Sequence, residues 1–252
     1  MITGASGKLG SILAETLAEL GADLILVDQS IESLLSLETK IKEKYNILTK
    51  SIICDLESEA DRNNMISIIT NDKMDLNCLI NNAAFVGTTG LNGWAVSFAE
   101  QSINTWRRAI EVNLTASFHL CQAFSPILKN SKGGNIINIA SIYGEFGPDW
   151  RLYEGTEMGN PAAYAVSKGG LIQLTRWLST SLAPFIRVNA ISPGGIFRNQ
   201  NLDFVSRYES KVPLGRMATE EDFRGAVGYL ASDLSAYVTG QIIRVDGGWS
   251  TW

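Results

Sequence analysis

The sequence is poor in the residues on which metal and nucleophilic sites most often depend. It contains one histidine, His119, and three cysteines, none of them in a Cys-x-x-Cys pair. A single histidine argues against a histidine-based catalytic triad and against a His-rich metal site, so we expect a structural role for it. Cys54, Cys78 and Cys121 are expected to be buried thiols in a reducing compartment.

Long apolar runs, low-complexity segments and an excess of positive charge are also missing. No run of about 18 apolar residues is available to span a bilayer, and no signal peptide opens the chain. The formal net charge is -5, with acidic and basic residues interspersed, which argues against binding of nucleic acid or of an anionic membrane. We therefore expect a soluble cytoplasmic protein that binds neither nucleic acid nor a membrane.

What the chain does contain is an alternation of short β-rich runs with longer runs of helical period. DLILVD precedes IESLLSLETKIKEKY, for example, and GNIINIAS precedes AAYAVSKGGLIQLTRWLSTSLA. Such alternation indicates repeated β-α units. We predict an α/β fold: a single Rossmann-like, doubly wound domain over residues 1–252, with a mainly parallel seven-stranded sheet and helices on both faces.

Glycines open the chain in the pattern T-G-x-x-G-x-x-G, directly before a helical run. Glycines at this spacing permit a tight turn and a close approach of the backbone to a pyrophosphate, which the helix N-terminus attracts. A helix cap is the alternative reading for the serine in this loop. The predicted dinucleotide-binding residues are Gly4, Ser6, Gly7, Lys8, Leu9 and Gly10.

Asp28 ends the next β-rich run, 28 − 10 = 18 residues after Gly10. A carboxylate at about this distance meets the hydroxyls of the adenosine ribose. It would repel a 2′-phosphate and no arginine follows it, so NAD is the preferred cofactor, while Lys8 leaves NADP possible. A solvated strand end is the alternative reading of Asp28.

Tyr164 and Lys168 lie in a helical run that Asn160 and Pro161 are expected to start, as N-cap and first helical residue. Their separation of 168 − 164 = 4 places both side chains on one face of the helix. A nearby ammonium group stabilises phenolate, which predicts that the pKa of Tyr164 is lowered from its reference of about 10. The phenol would then exchange a proton with a substrate. A solvated helix face is the alternative.

Together with several other motifs, these residues resemble the short-chain dehydrogenase/reductase family in its compact branch, over essentially the whole chain. The further motifs are Asp55-Leu56, Asn81-Asn82-Ala83-Ala84, Asn113, Ser141, Pro193-Gly194, and Thr239-Gly240-Gln241 with Val245-Asp246-Gly247-Gly248. The resemblance implies hydride transfer between a nicotinamide and a carbonyl or secondary alcohol of a small-molecule substrate. It also implies a homo-oligomer, a dimer or a tetramer, built through the two helices that flank the active site.

The resemblance further implies a role for each matching residue. Ser141 would hydrogen-bond the substrate oxygen, Tyr164 would exchange the proton, and Lys168 would also bind the nicotinamide ribose. Asn113 would hold a water that relays protons to Lys168. Along the cofactor, Asp55 and Leu56 would hold the adenine, Asn82, Ala83 and Ala84 would run beside the adenosine ribose, and the backbone after Pro193 and Gly194, including Ile196, would hold the carboxamide.

Two departures from the family pattern concern the start of the chain. The middle glycine is at position 7 rather than 8, a form commoner in longer relatives that act on nucleotide sugars. Only Met1 and Ile2 precede Thr3, whereas a strand usually has about five or six residues. Either the native chain begins earlier or the first strand is a stub.

A third departure is the long segment between Ser141 and Tyr164, 164 − 141 = 23 residues. The extra residues, 148–159 (PDWRLYEGTEMG), carry Arg151, Glu154 and Glu157 and are expected beside the reaction centre. Such a loop favours a polar, sugar-like substrate. It resembles the insert in bacterial dehydrogenases of flagellin or surface-sugar modification.

Beyond Pro193-Gly194, Arg198 stands where the family often has threonine. Its side chain would contact the cofactor pyrophosphate, bind an anionic group of the substrate or face solvent. Residues 197–213 are expected to form a mobile lid.

Two other functions stay open at this point: a catalytically silent dinucleotide-binding sensor or structural subunit, and an NAD-dependent sugar epimerase or dehydratase. The complete set of Asn113, Ser141, Tyr164 and Lys168 favours an active oxidoreductase, because binding alone does not require all four. Epimerase relatives usually carry an additional substrate domain, which we do not expect in a chain of 252 residues.

Overall fold

A parallel β-sheet forms the centre of the computed structural model, which describes residues 1–86 and 91–252. The seven strands in this part of the chain have the spatial order β3-β2-β1-β4-β5-β6-β7, and every pairing between neighbours is parallel. They are β1 (Ile2–Thr3), β2 (Leu24–Asp28), β3 (Thr49–Ile53), β4 (Cys78–Asn81), β5 (Gly134–Ile139), β6 (Ile186–Pro193) and β7 (Ile242–Val245). The predicted doubly wound Rossmann-like sheet is confirmed.

The order reverses between β1 and β4, and a crevice opens there at the carboxyl ends of the strands. Helices connect the strands on both faces: α1 (Lys8–Glu19), α2 (Ile31–Lys44), α3 (Glu59–Asn71), α4 (Ile103–Ile110), α5 (Ala116–Asn130), α6 (Ala162–Ser181), α7 (Leu202–Lys211) and α8 (Arg224–Ala231). The predicted long connection between Phe85 and Ile103 includes residues 87–90, which lie outside the described residues.

Two apolar cores cover the two faces of the sheet. Neighbouring strand residues point to opposite sides: Val27 and Ile136 pack against α3, α5 and α6, whereas Leu26 and Ile137 pack against α1, α2 and α8. Each large side chain that is fully buried, such as Phe124 in α5, contributes about 1.5–3 kcal/mol through removal of its apolar surface from water. Burial on both faces explains why the strands have continuous apolar runs rather than alternating ones.

The first strand has only two residues although it occupies the middle of the sheet. Ile2 and Thr3 pair with Leu26 and Val27 on one side, and Ile2 pairs with Ile80 on the other. The Thr3 hydroxyl extends this pairing, because it accepts hydrogen bonds from the backbone N–H groups of residues 82 and 83 at 3.0 and 3.1 Å. A side chain thus joins β1 to the loop after β4, next to the crevice.

The single histidine and the three cysteines are wholly or partly buried. Cys54 and Cys121 are buried and Cys78 is partly buried, all three as free thiols whose pKa is raised by burial. His119 accepts a hydrogen bond at Nδ1 from Nε of the buried Arg62, at 3.3 Å. None of the described helices is long and apolar enough to cross a membrane.

Candidate active site

A cleft of about 630 Å³ lies at the carboxyl ends of the strands, over the reversal of strand order. Loops that follow β1 to β6, together with side chains of α4 and α6, supply its wall. Most of the residues singled out in the sequence lie in this wall, namely Gly4, Gly7, Lys8, Leu9, Gly10, Asp28, Asp55, Leu56, Asn82, Ala83, Ala84, Ser141, Tyr164, Lys168, Pro193, Gly194 and Ile196. Of the predicted site residues, Ser6 and Asn113 do not line the described part of the cleft.

The glycine loop is shaped by contacts that side chains would prevent. Gly4 has a φ of +61°, and a Cβ there would lie 2.8 Å from Cα of Ala83. A Cβ on Gly10 would lie 2.0 Å from the carbonyl oxygen of Gly4. The Asn82 amide fixes the same turn, because its Nδ2 donates to the carbonyls of Thr3 and Gly4 at 2.9 and 3.0 Å. The open backbone before α1 therefore fits a pyrophosphate that approaches closely.

Asp28 lies at the end of β2 and connects this strand to the glycine loop. Its Oδ2 accepts a hydrogen bond from the backbone N–H of Ser6 at 3.0 Å, and its Oδ1 accepts one from Gln29 at 2.8 Å. Gly7, and not Ser6, is the N-cap residue of α1. The carboxylate is thus held in the cleft wall, where its remaining lone pairs are available to hydroxyl groups.

Ser141, Tyr164 and Lys168 are brought together by the packing of the turn after β5 against α6. Ser141 directly precedes this turn, and its Oγ accepts a hydrogen bond from the backbone N–H of Tyr143 at 3.2 Å. Gly144 lies so close to α6 that a Cβ would be 2.7 Å from the carbonyl carbon of Lys168. The Lys168 ammonium lies 5.9 Å from the centre of the Tyr164 ring.

The pKa of Tyr164 differs from the one predicted from the sequence. Burial raises the pKa of Tyr164, and the Ser141 hydroxyl and the charge of Arg198 lower it by less. Lys168 is buried, donates from Nζ to the carbonyl of Ile139 at 2.6 Å, and has its pKa lowered by burial to about 8. The prediction that Lys168 brings the phenol below its usual pKa is wrong for this structure, because desolvation of the phenol is the largest effect.

Asn113 is in a π-helical turn, Glu111–Thr115, between α4 and α5. Its Oδ1 accepts from the backbone N–H of Phe85 at 2.6 Å, and its Nδ2 donates to the carbonyl of Phe85 and to Ser167 Oγ at 3.3 and 3.0 Å. Single π-helical turns inside helices are frequent at functional sites. The side chain thereby fixes the loop after β4 against α6, and its role in a proton relay stays a prediction.

The helix that carries Tyr164 begins one residue later than expected. Pro161 is the N-cap residue and α6 starts at Ala162, so the prediction that Asn160 caps the helix is wrong. Proline suits this boundary because its fixed φ leads into the helix and its missing N–H removes one donor that would need a partner.

The segment 148–159 packs mainly against α7, and its contact with the cleft wall runs through Tyr153. Leu152 and Tyr153 are buried against Phe204 and Tyr208 of α7, and Arg207 donates to the carbonyls of Leu152 and Glu154. Arg151, expected beside the reaction centre, is exposed and paired with Asp149 at 2.8 Å. The cleft wall contains no residue of this segment, within the part of the chain that the structure describes.

Several residues of the cleft wall were missed by the sequence reasoning. Tyr143 lines the cleft and its hydroxyl lies 2.7 Å from that of Tyr153, so the segment 148–159 reaches the cleft through this pair. Arg108 also lines it, held by Glu57 through Nε and Nη2 at 2.8 and 3.0 Å. Gln200 is the third such residue. Their places depend on tertiary packing, and no local motif marks them.

The outer faces of α5 and α6 carry a second, shallow groove of apolar character. It is lined by Leu114, Thr115, Phe118, Gly170, Gln173, Leu174 and Trp177. Phe118 and Trp177 are 45% and 59% exposed, which is unusual for large apolar side chains so close together.

Comparison with known proteins gives consistent results over nearly the full chain. A family model described as enoyl-(acyl carrier protein) reductase matches residues 4–250. The 3-oxoacyl-[acyl-carrier-protein] reductase FabG of Rickettsia felis is 34% identical over 98% of this chain and 95% of its own length. The post-translational flagellin modification protein A of Campylobacter coli is 30% identical over 98% of this chain and 96% of its own length.

A solved structure agrees with the sequence matches. The short chain dehydrogenase of Leptospira borgpetersenii, determined with bound NAD+, superimposes with a TM-score of 0.83 at 33% identity and covers 99% of this chain and 91% of its own. This similarity extends over the strands, the helices and the cleft described above.

Proposed function

Because this chain belongs to the short-chain dehydrogenase/reductase family, a family of NAD(P)-dependent oxidoreductases, we propose that it interconverts a carbonyl and a secondary alcohol on a polar, sugar-like substrate. One observation carries the proposal: Ser141, Tyr164 and Lys168 share a single cleft with the glycine loop and Asp28. A dinucleotide along that loop and a carbonyl at the Tyr164 hydroxyl would meet within one enclosed space.

The wall residues fit a nicotinamide dinucleotide, which supplies the hydride-carrying ring when bound. The glycine loop would hold the pyrophosphate, Asp55 and Leu56 the adenine, and the residues from Pro193 to Ile196 the carboxamide. Asn82, Ala83 and Ala84 would follow the adenosine ribose. Gly4 and Gly10 support this placement. The backbone packs so closely around them that a side chain would not fit, and the loop is therefore open to a pyrophosphate.

In the reduction direction, Tyr164 would donate its phenolic proton to the substrate oxygen, to which the Ser141 hydroxyl would also hydrogen-bond. The raised pKa of Tyr164 keeps the phenol protonated before transfer. Lys168 would stabilise the phenolate that results, because its ammonium lies beside the ring and is shielded from water. In the oxidation direction the same groups would act in reverse.

NAD is the preferred cofactor in this proposal, with NADP as the alternative. The fixed carboxylate of Asp28 offers acceptors to the ribose hydroxyls and would repel a 2′-phosphate. Gln29, the next residue, lines the cleft and carries no charge to compensate.

The catalytic end of the cleft supports a polar substrate. Ser141, Tyr143, Tyr164, Arg198 and Gln200 present hydroxyl, guanidinium and amide groups there. The Nη atoms of Arg198 have no protein partner among the described residues, and a fatty acyl chain would not supply one. The similarity to a flagellin modification protein is consistent with a sugar-derived substrate.

We also propose that one domain binds the cofactor and performs catalysis, and that residues 197–213 close over the cleft. The α7 helix in this segment is attached to the loop after β6, since the Tyr208 hydroxyl accepts a hydrogen bond from the backbone N–H of Gly195 at 2.6 Å. The free thiols fit the reducing cytoplasm.

A homo-oligomer built through α5 and α6 is part of the proposal. The apolar groove around Phe118 and Trp177 supports it, because a second copy of the chain would remove these side chains from water. Sedimentation velocity should give a dimer or tetramer, reduced to monomer by Trp177→Glu. The control Trp150→Glu changes a tryptophan that is equally exposed, at 58%, but outside the groove. A wild-type monomer would contradict the proposal.

The enzymatic function is tested with a panel of ketoses, alditols, aldonates and a β-ketoacyl thioester, following NADH absorbance. Tyr164→Phe should lower kcat/KM by about 10²- to 10⁴-fold, the usual effect of losing a general acid, while NADH still binds. Tyr237→Phe, at a fully exposed tyrosine, is the matched control. NADH binding without turnover of any panel member would favour a sensor, and exchange at a sugar carbon without net NADH consumption would favour an epimerase.

A further inference from the structure

Arg198 is held at the catalytic end of the cleft by the strand-like segment that follows β6. Ile196 forms an isolated parallel bridge with Ala218, and Phe197 N–H donates to the carbonyl of Ala218 at 2.8 Å. Ala218 N–H in turn donates to the carbonyl of Gly195 at 2.9 Å. This ladder fixes the backbone from the proposed carboxamide site up to Arg198.

The turn beyond Arg198 is held by Gln200. The Gln200 amide accepts from the backbone N–H of Arg198 at 2.7 Å and donates to the carbonyl of Ile196, also at 2.7 Å. Asn199 between them has a φ of 59°, a left-handed conformation that asparagine tolerates. Both Arg198 and Gln200 line the cleft, so the guanidinium is presented to it from a braced turn.

The guanidinium of Arg198 keeps donors available for a ligand. Its Nε donates to Oε1 of Glu220 at 3.1 Å, which orients the plane of the group. The Arg198 side chain is 38% exposed, and over residues 1–86 and 91–252 its terminal Nη atoms have no protein hydrogen-bond partner. A planar fork of this kind matches a carboxylate.

The other cations of the cleft wall are engaged or remote. Arg108 is bound bidentately by Glu57 and lies over the Phe85 ring at 5.0 Å. Lys168 is buried and bound to the carbonyl of Ile139. Lys8 belongs to the glycine loop, where the pyrophosphate is expected. Arg198 is also close enough to the reacting phenol for its charge to lower the pKa of Tyr164.

We infer that Arg198 binds a carboxylate of the substrate through its Nη atoms, so that the substrate is a sugar acid, an aldonate or keto-aldonate. The inference rests on the proposed function and narrows its substrate class. A monoanion suits the site better than a phosphate dianion, because Glu220 already neutralises part of the charge and a single guanidinium supplies the donors. Arg198 would anchor the acid group while Tyr164 and Ser141 meet the carbonyl further along the chain.

Calorimetry on the enzyme–NADH complex measures the binding of aldonates and of alditols with the same length and configuration. Neither class of ligand can accept hydride from NADH, so binding is measured without turnover. At least one aldonate should bind more tightly than its alditol by about 10- to 100-fold, the range for a hydrogen-bonded charge pair. Arg198→Ala should remove that difference, and Arg198→Lys should restore part of it. Arg107→Ala, which removes the same charge from an exposed residue of α4 outside the cleft wall, should leave it intact.

Three results would overturn the inference: equal binding of aldonates and alditols across the panel, weaker NADH binding as the main effect of Arg198→Ala, or tighter binding of sugar phosphates than of aldonates. The second result would assign Arg198 to the pyrophosphate. Turnover of neutral polyols that depends on Tyr164 but shows no preference for acids would overturn this inference and leave the proposed function standing. Aldonate binding that depends on Arg198 without any turnover would keep the anion site and reject the proposed function.

Discussion

Tyr208→Phe isolates one hydrogen bond that connects α7 to the loop after β6. The Tyr208 hydroxyl accepts from the backbone N–H of Gly195 at 2.6 Å, and the side chain is only 2% exposed. The Tyr208 ring also packs closely against Gly195, since a Cβ on Gly195 would lie 2.7 Å from the ring. Phenylalanine keeps the ring and its packing but leaves the N–H of Gly195 without this acceptor.

The expected loss follows from the cost of an unsatisfied donor. Leaving a buried N–H without a partner costs about 1–3 kcal/mol. Gly195 borders the cleft, where water reaches part of the group, so we expect the lower half of that range. In a chain of this size, ~1–2 kcal/mol corresponds to a fall in Tm of about 2–8 °C. A less firmly held loop should also weaken NADH binding, because the same backbone is proposed to hold the carboxamide.

Thermal unfolding and fluorescence titration with NADH would measure both effects, with Tyr237→Phe as the control at an exposed tyrosine. Wild-type Tm together with wild-type NADH affinity in Tyr208→Phe would show that this hydrogen bond stabilises neither the fold nor the bound cofactor. A fall in Tm with unchanged NADH affinity would keep the hydrogen bond but remove its proposed link to the cofactor.

Further predictions concern the glycine loop, the pH profile and the choice between NAD and NADP. Gly10→Ala should abolish NADH binding, since its Cβ would lie 2.0 Å from a carbonyl oxygen, whereas Gly225→Ala, with nothing within 4 Å, should bind normally in the same titration. Because burial raises the pKa of Tyr164, kcat/KM for alcohol oxidation, which needs the phenolate, should rise with pH above neutrality, while carbonyl reduction stays level near neutral pH; oxidation that slows as pH rises would contradict this. Asp28→Ser combined with Gln29→Arg should raise the ratio of kcat/KM with NADPH to that with NADH, and an unchanged ratio would show that Asp28 does not select the cofactor.

The parts of the site that could be predicted from the sequence are those with short-range geometry. The glycine spacing and the separation of Tyr164 from Lys168 each specify a local conformation, a turn before a helix and one face of a helix. The alternation of apolar runs specifies the parallel sheet, whose carboxyl ends then collect the loops. These signals are local and additive along the chain.

The properties that were not predicted depend on contacts between distant segments. The pKa of Tyr164 is raised mainly by desolvation where the ring packs in the cleft wall, which the separation from Lys168 does not encode. The segment 148–159 reads as polar, but Leu152 and Tyr153 pack against α7, so Tyr143 and not this segment supplies the side chain that lines the cleft. Arg108 and Gln200 enter the wall only because α4 and the turn after β6 are placed there.

A crystal structure of the protein with NADH and a substrate-like alcohol would show whether cofactor, substrate and Tyr164 meet in the cleft. We expect the nicotinamide ring to lie between the Pro193–Ile196 backbone and Tyr164, with the alcohol oxygen within hydrogen-bond distance of both the Tyr164 and Ser141 hydroxyls. A ring bound elsewhere, or a Tyr164 hydroxyl turned away from the ring and the alcohol, would contradict it.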